Sequence, residues 1–463
     1  MARNQVVVVP YPGRGHINPL LNLCHLLSSK LNQNNYNTTI FSVVVTEEWL
    51  GFLNPDPVQT NVRFVTIPNV LPSELNRGSN LVSFINAVYN KMEGPFEEML
   101  DKMEVKVDLI IADATMNWPV DVANRRNIPL AAYWPMSATM FSVMHHVDLL
   151  ESHHHLYVDV SEKGNESIDY IPGISSLKVA DIPEVFHGRF RQTTDGIVPN
   201  IFSGMAPNLI STTKKADCVL ISTTYELESK VIDALRARID IPVYTSGPNI
   251  PYSIPNQTKP NPSSHEPFYL KWLESKSPRT VLYVSLGSFL SVSSAAVDEI
   301  VAGLTQSGVN FLWVARGETV KLQEMCGEKG LVVEWCDQLR VLSHSSIGGF
   351  WTHCGWNSVK ESVFSGVPML TFPIQFDQPL NSIAIVKDWK IGLKMRKEVE
   401  VFKRDKIAEL VRQFTDSESV ERIEMMERAK KLQDICQSSV NKGGSANKDL
   451  DDFIRDIKMY PHY

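Results

Sequence analysis

The chain has 463 residues, a net charge of −7 and ordinary proportions of apolar, charged, glycine and proline residues. That length exceeds one hydrophobic core and predicts two or three domains of a globular protein. The acidic balance gives no basis for nucleic acid or an anionic membrane as partner, and no apolar stretch is long enough to span a bilayer.

The first element is predicted in "VVVVPYPGRGHINPLLNLCHLL" (6–27): a buried strand, a glycine turn and an amphipathic helix. The turn begins like a dinucleotide fingerprint, but Asn18 stands where the third glycine belongs and Gln33 where the acidic residue is expected. The first acids, Glu47 and Glu48, come only after the second strand. A nicotinamide-dependent oxidoreductase is therefore a distant alternative. The glycines instead allow a tight turn that holds His16 at the carboxyl edge of a sheet.

Further β-rich runs follow at 39–45, 108–113, 130–134 and 218–223, alternating with helical patterns. This alternation predicts a parallel α/β sheet. "SGPNIPYSIPNQTKPNPSSHEPF" (246–268) carries six prolines and no hydrophobic period, and is predicted to be a linker. The alternation restarts with strands at 280–286, 310–315, 331–335, 347–352 and 368–373. The expectation is two doubly wound, Rossmann-like parallel-sheet domains, 1–245 and 269–445, facing a cleft. A helix over 446–463 is expected to pack back on the first domain. The six cysteines (Cys24, Cys218, Cys326, Cys336, Cys354, Cys436) form no CxxC pair, which is reduced, cytoplasmic usage. Pro10 and Pro12 interrupt the N-terminal apolar run, unlike a secretory signal.

The densest chemistry lies in "WCDQLRVLSHSSIGGFWTHCGWNSVKESVFSGVPMLTFPIQFDQ", Trp335 to Gln378. His353, Gly355, Asn357 and Ser358 fall where a strand turns into a helix, whose first N–H groups and dipole favour an anion such as a diphosphate. Glu361, one turn further on, suits ribose hydroxyls. Trp335 offers a flat face for a base, and Asp377 with Gln378 supplies groups that read sugar hydroxyls. Each residue alone has a plainer account: Asn357 or Ser358 as a helix cap, the tryptophans as core, Asp377 and Gln378 as turn residues. Their coincidence in one strand–turn–helix order favours the functional reading.

This segment resembles, without a gap, the 44-residue signature of plant secondary-product UDP-sugar glycosyltransferases. "RTVLYVSLGS", "NFLWVAR", "CVLISTTYELE" and "PYPGRGHINPLLNL" extend the resemblance over most of the chain. It implies the GT-B fold, an inverting mechanism, UDP-glucose as donor substrate and no metal or other cofactor. It implies that Trp335 stacks on uracil, that the backbone of Cys336 bonds the base edge, and that Gln338 and Glu361 face the ribose. His353, Asn357 and Ser358, with the Gly287–Ser288 turn, would hold the diphosphate; Trp356, Asp377 and Gln378 would hold the sugar. A closing Gln is usual with glucose donors. Two departures stand out. "WCDQ" replaces the commoner "WAPQ", and Pro135 stands where the family often has a Thr, so that contact is lost or moves to Ser137.

His16 matches the family's catalytic histidine and Asp113, closing "DLIIAD", its acidic partner. An Asp bonded to one ring nitrogen fixes the tautomer and leaves the other nitrogen as base. A small lipophilic acceptor (flavonoid, phenol, terpenoid or hormone) is expected against Met116, Asn117, Trp118, Met136, His146, Phe186, Phe190 and Phe376; core packing is an equal reading of each. The protein is expected to act as a monomer. The alternative is a non-catalytic nucleotide-sugar binding protein of the same fold. Three signals are set aside. "DLD" (449–451) is expected to be solvated surface, the histidines at 145–146 and 153–155 an exposed helix end and loop, and Cys354 no nucleophile.

Overall fold

The structure is a computed structural model that describes residues 4–33, 39–53, 61–77, 80–187, 190–193, 196–199, 204–251, 266–287, 294–315, 319–395 and 403–457. The chain divides into two compact units, 1–249 with 439–463, and 250–438. Most of the proline-rich segment, 252–265, lies outside the described residues.

The first unit is built on a seven-stranded sheet: β1 (Asn4–Val9), β2 (Thr39–Thr46), β3 (Val62–Ile67), β4 (Leu109–Asp113), β5 (Leu130–Trp134), β6 (Cys218–Ile221) and β7 (Val243–Thr245). The order across the sheet is β7-β6-β5-β4-β1-β2-β3, parallel throughout. Val6 to Val9 are completely buried, as expected of a strand covered on both faces. β1 leads into α1 (Arg14–Gln33). Its stripe Leu20, Leu23, Cys24, Leu27 and Leu31 has helical spacing and is buried against the sheet.

The second unit has six parallel strands: β8 (Val281–Ser285), β9 (Asn310–Val314), β10 (Gly330–Val333), β11 (Ile347–Thr352), β12 (Met369–Thr371) and β13 (Gly392–Lys394). Their order is β10-β9-β8-β11-β12-β13. Both sheets therefore reverse direction beside their first strand, between β1 and β4 in one and β8 and β11 in the other. Such a reversal opens a crevice at the carboxyl ends of the strands.

Within the two parallel sheets, three strands, β3, β7 and β13, have no counterpart among the sequence-predicted runs. β3 carries Arg63 and Thr66 within an edge strand, and β7 and β13 are three residues each, too short for a periodic signal. A long helix, Val420–Val440, ends the second unit, and from Ser439 the chain belongs to the first again. There the helix Ser445–Asp456 buries Leu450, Phe453 and Ile454 in the core beside α1. Asp449 accepts hydrogen bonds from the Thr245 N–H (2.7 Å) and hydroxyl (2.6 Å) and from Arg236 (2.8 Å). This corrects the reading of 449–451 as solvated surface for two of the three residues: Leu450 is core and the Asp449 carboxylate fastens the helix to the end of β7, while Asp451 is exposed. Among the described residues, no helix is long and apolar enough to cross a membrane.

Candidate active site

In the first unit the crevice residue is His16, in the opening turn of α1. The N–H groups of His16 and Ile17 both donate to the carbonyl of Gly13 at 2.9 Å, which starts the helix directly after the glycine turn. Asp113 ends β4, the strand paired beside β1. His16 Nδ1 lies 2.7 Å from Asp113 Oδ2. Asp113 is fully buried, and its Oδ1 accepts from the Thr115 N–H (3.0 Å) and hydroxyl (2.6 Å). A buried carboxylate needs such donors, and an ionised one only accepts. Nδ1 must then carry the proton of a neutral His16, and Nε2 is left as its basic nitrogen. The side chain is 24% exposed, enough for a substrate to reach it. Tyr11 packs on the ring at a centroid distance of 4.9 Å, and Arg77 lies over Phe84 while donating to Pro12 O and Glu74. Burial pushes the Tyr11 hydroxyl up to about 12, so it stays neutral beside the pair.

In the second unit, β11 is followed by the turn His353-Cys354-Gly355, which leads into the helix Trp356–Ser365. Gly355 at the N-cap offers no capping side chain. A Cβ on Gly287 (φ 89°) would fall 3.0 Å from His353 Nε2, and one on Gly355 would fall 2.5 Å from it. Glycine at both positions makes room for the ring. Burial pulls the His353 pKa down to about 4, so the imidazole is neutral, with one donating and one accepting ring nitrogen, rather than a cation. Cys354 (φ 67°) and Phe376 (φ 56°) are both in the left-handed region, costly for residues with a Cβ. Asn381 spans these two turns: its Nδ2 donates to Cys354 O (2.9 Å) and to Asp377 Oδ2 (2.7 Å). Gln378 Oε1 accepts from the N–H groups of Ile374 (2.8 Å) and Gln375 (3.0 Å). Its amide is thereby oriented with the oxygen inward.

Gln338, Ser358 and Glu361 form one cluster: Gln338 Nε2 donates to Ser358 Oγ (3.0 Å) and Glu361 Oε2 (2.7 Å). Burial raises the Glu361 pKa to about 7 against the lowering effect of Gln338 and Lys360. Trp335 follows β10 by two residues and is 67% exposed, an indole face open for stacking. Asp337, one of the two departures in "WCDQ", caps the helix Gln338–Leu342 by accepting from Arg340 N–H at 3.1 Å. Trp356 is buried, with its ring 6.3 Å from that of Trp389, and Asn357 occupies the first turn of its helix. Ser288 lies outside the described residues.

The residues expected around the acceptor divide. Met116, Trp118, His146 and Phe186 are almost wholly buried, whereas Asn117, Met136 and Phe376 are partly open. Trp118 donates to Val88 O (3.0 Å) and packs on Phe96; His146 Nδ1 is bonded to Ser142 O at 2.8 Å. The side chain of Phe190 lies outside the described residues. Ser137, the alternative to the missing threonine, is buried, and its hydroxyl caps the helix Ala138–His145 through Met140 N–H (3.3 Å). The expected exposure of the histidines at 145–155 is corrected for three of them. His145 bonds Thr213 (3.1 Å), His146 bonds Ser142, and His155 lies between Tyr170 and Glu166 (2.9 Å each), all three buried. The Cys354 thiol is buried and burial raises its pKa, which leaves it protonated.

Thr115, Tyr283 and Asn381 are the structural partners that sequence reasoning passed over. An Asp-x-Thr at a strand end signals a side-chain-closed turn. Asn381 stands four residues after Asp377 on one helix face. Tyr283, inside a buried strand, gives no such signal.

A sequence model of the family described as "UDP-glucoronosyl and UDP-glucosyl transferase" matches residues 232–422. UDP-glycosyltransferase 87A2 of Arabidopsis thaliana is 46% identical, the alignment covering 98% of this chain and 96% of that one. The 7-deoxyloganetin glucosyltransferase of Catharanthus roseus is 30% identical over 99% and 97% of the two chains. Among solved structures, Medicago truncatula UGT71G1 complexed with UDP-glucose superposes with a TM-score of 0.80 at 25% identity, covering 98% of each chain. Near-complete alignment at such identity, together with two Rossmann-like units, places this chain in the plant UDP-glycosyltransferase family, as a glycosyltransferase of the GT-B fold class.

Proposed function

We propose that the enzyme transfers glucose from UDP-glucose to a hydroxyl of a small lipophilic acceptor, with inversion and without a metal. The observation that carries this reading is the His16–Asp113 pair, closed on its far side by Thr115. His16 Nε2 takes the acceptor proton as that oxygen forms its bond to the anomeric carbon. The bond from that carbon to the diphosphate oxygen breaks, and its electron pair leaves with UDP. The resulting imidazolium is stabilised by the Asp113 carboxylate 2.7 Å away.

Charge growing on the diphosphate meets the N-terminus of the helix at Trp356 and the neutral donor His353. Gln338 and Glu361 would receive the ribose, Asn357 and Ser358 the diphosphate with His353, Trp335 the uracil, and Trp356, Asp377 and Gln378 the glucose. Glucose is favoured by Gln378 and by the likeness to a protein solved with UDP-glucose. Partly open Asn117 and Met136 support an acceptor site on the first unit, with a lipophilic rather than charged lining. The six buried cysteines, none of them in a disulfide, support a reducing compartment, the cytoplasm; we propose a monomer, which sedimentation would check.

The test is mass spectrometry of phenols, flavonoids and terpenoid alcohols incubated with UDP-glucose and EDTA. A gain of one hexose that disappears with His16→Ala supports the reading. Transfer that needs added metal, or that survives His16→Ala undiminished, refutes it.

A further inference from the structure

Tyr283 lies in β8, is 1% exposed and stacks on Phe350 at 4.9 Å. Its Oη lies 3.1 Å from Gln338 Oε1, to which it donates, and 3.4 Å from Cys336 Sγ. Gln338 uses the other end of the same amide, donating to Ser358 and Glu361. An amide has one accepting and one donating end. Rotating it by half a turn would set its oxygen against the Glu361 carboxylate and its nitrogen against the Tyr283 hydroxyl.

We propose that Tyr283 is a positioning residue for donor recognition: its hydroxyl locks the Gln338 amide so that Glu361 is held to receive the ribose hydroxyls of a uridine diphosphate. The inference rests on the assignment of Glu361 and Gln338 to the ribose made above. Burial raises the Tyr283 pKa well above the ordinary tyrosine value and pushes the Cys336 thiol up to about 12. Both groups therefore keep their protons, and a directed chain results. The thiol donates to Oη, Oη donates to the amide oxygen, and the amide nitrogen donates to the carboxylate. Cys336, a departure from the usual Ala, thereby contributes a side chain as well as a backbone.

The experiment is calorimetric titration of the full-length protein with UDP and with 2′,3′-dideoxy-UDP. The wild type should bind UDP about tenfold or more tightly than the analogue, the scale of hydrogen bonds to a charged group. Tyr283→Phe should reduce that ratio about fivefold through weaker UDP binding, with the affinity for the analogue unchanged. A wild-type ratio in Tyr283→Phe, or equal weakening of both ligands, overturns the proposal. If Tyr283→Phe does not fold, Cys336→Ala decides: a ratio lowered about twofold supports the chain, an unchanged one overturns it. Glu361→Gln separates the two levels. Loss of the ratio there, with retention in Tyr283→Phe, removes the relay alone; retention in Glu361→Gln removes the ribose assignment and the relay with it.

Discussion

Each unit carries a histidine at its sheet reversal, His16 after the first strand β1 and His353 after β11, across the reversal from β8, and their surroundings are opposite. His16 is bonded to a carboxylate held by two further donors. His353 is enclosed between glycines that leave room for its ring, and burial keeps it neutral. The difference teaches that a crevice histidine takes its chemistry from the residue ending the neighbouring strand. An acid there can stabilise a proton on the ring, as the reading of His16 as a base requires; its absence and a tight fit leave a neutral ring.

The contrast is broken most sharply by substitution at His16. His16→Ala should lower kcat about 100-fold or more, and His16→Gln should fare no better, because an amide cannot accept a proton at neutral pH. Steady-state rates with saturating UDP-glucose measure both. At His353 the prediction reverses. His353→Ala should weaken UDP affinity roughly tenfold while His353→Gln, which still donates, recovers most of it by calorimetry. Equal damage from both would show that His353 acts through its charge. Asp113→Asn should lower kcat roughly tenfold, less than the loss of His16 itself, since it removes a charged hydrogen bond but leaves the ring in place.

The smallest effect concerns pH. Glu361, with its pKa raised to about 7 by burial, loses its charge as pH falls through that value. An ionised carboxylate is the better acceptor for ribose hydroxyls, so UDP affinity should decline severalfold from pH 8 to pH 6. In Glu361→Gln this dependence should be absent; its persistence would assign the titration elsewhere.

The two crevices were also unequally legible in the sequence. The side proposed for the nucleotide reads almost continuously from Trp335 to Gln378 because one strand–turn–helix block carries it. The pairing of His16 with Asp113 spans 97 positions, and only the fold brings β1 and β4 together. Core strands such as Leu130–Trp134 and Ile347–Thr352 declare themselves as apolar runs. The edge strand β3 does not, since its two solvent-facing places, Arg63 and Thr66, interrupt the apolar run. Burial of His145, His146 and His155 was invisible for a related reason: each is satisfied by a hydroxyl, carbonyl or acid from a neighbouring turn or helix, which composition cannot show.

The helix Ser445–Asp456 gives the first unit a core built from both ends of the chain. During synthesis, residues 250–438 form an uninterrupted stretch and can complete their own sheet while the earlier-made unit still waits for Leu450, Phe453 and Ile454. The order in which the two units begin to emerge from the ribosome and the order in which their sequences are complete are thus inverted: the unit with His16 has all its core residues only after residues 250–438 have been made.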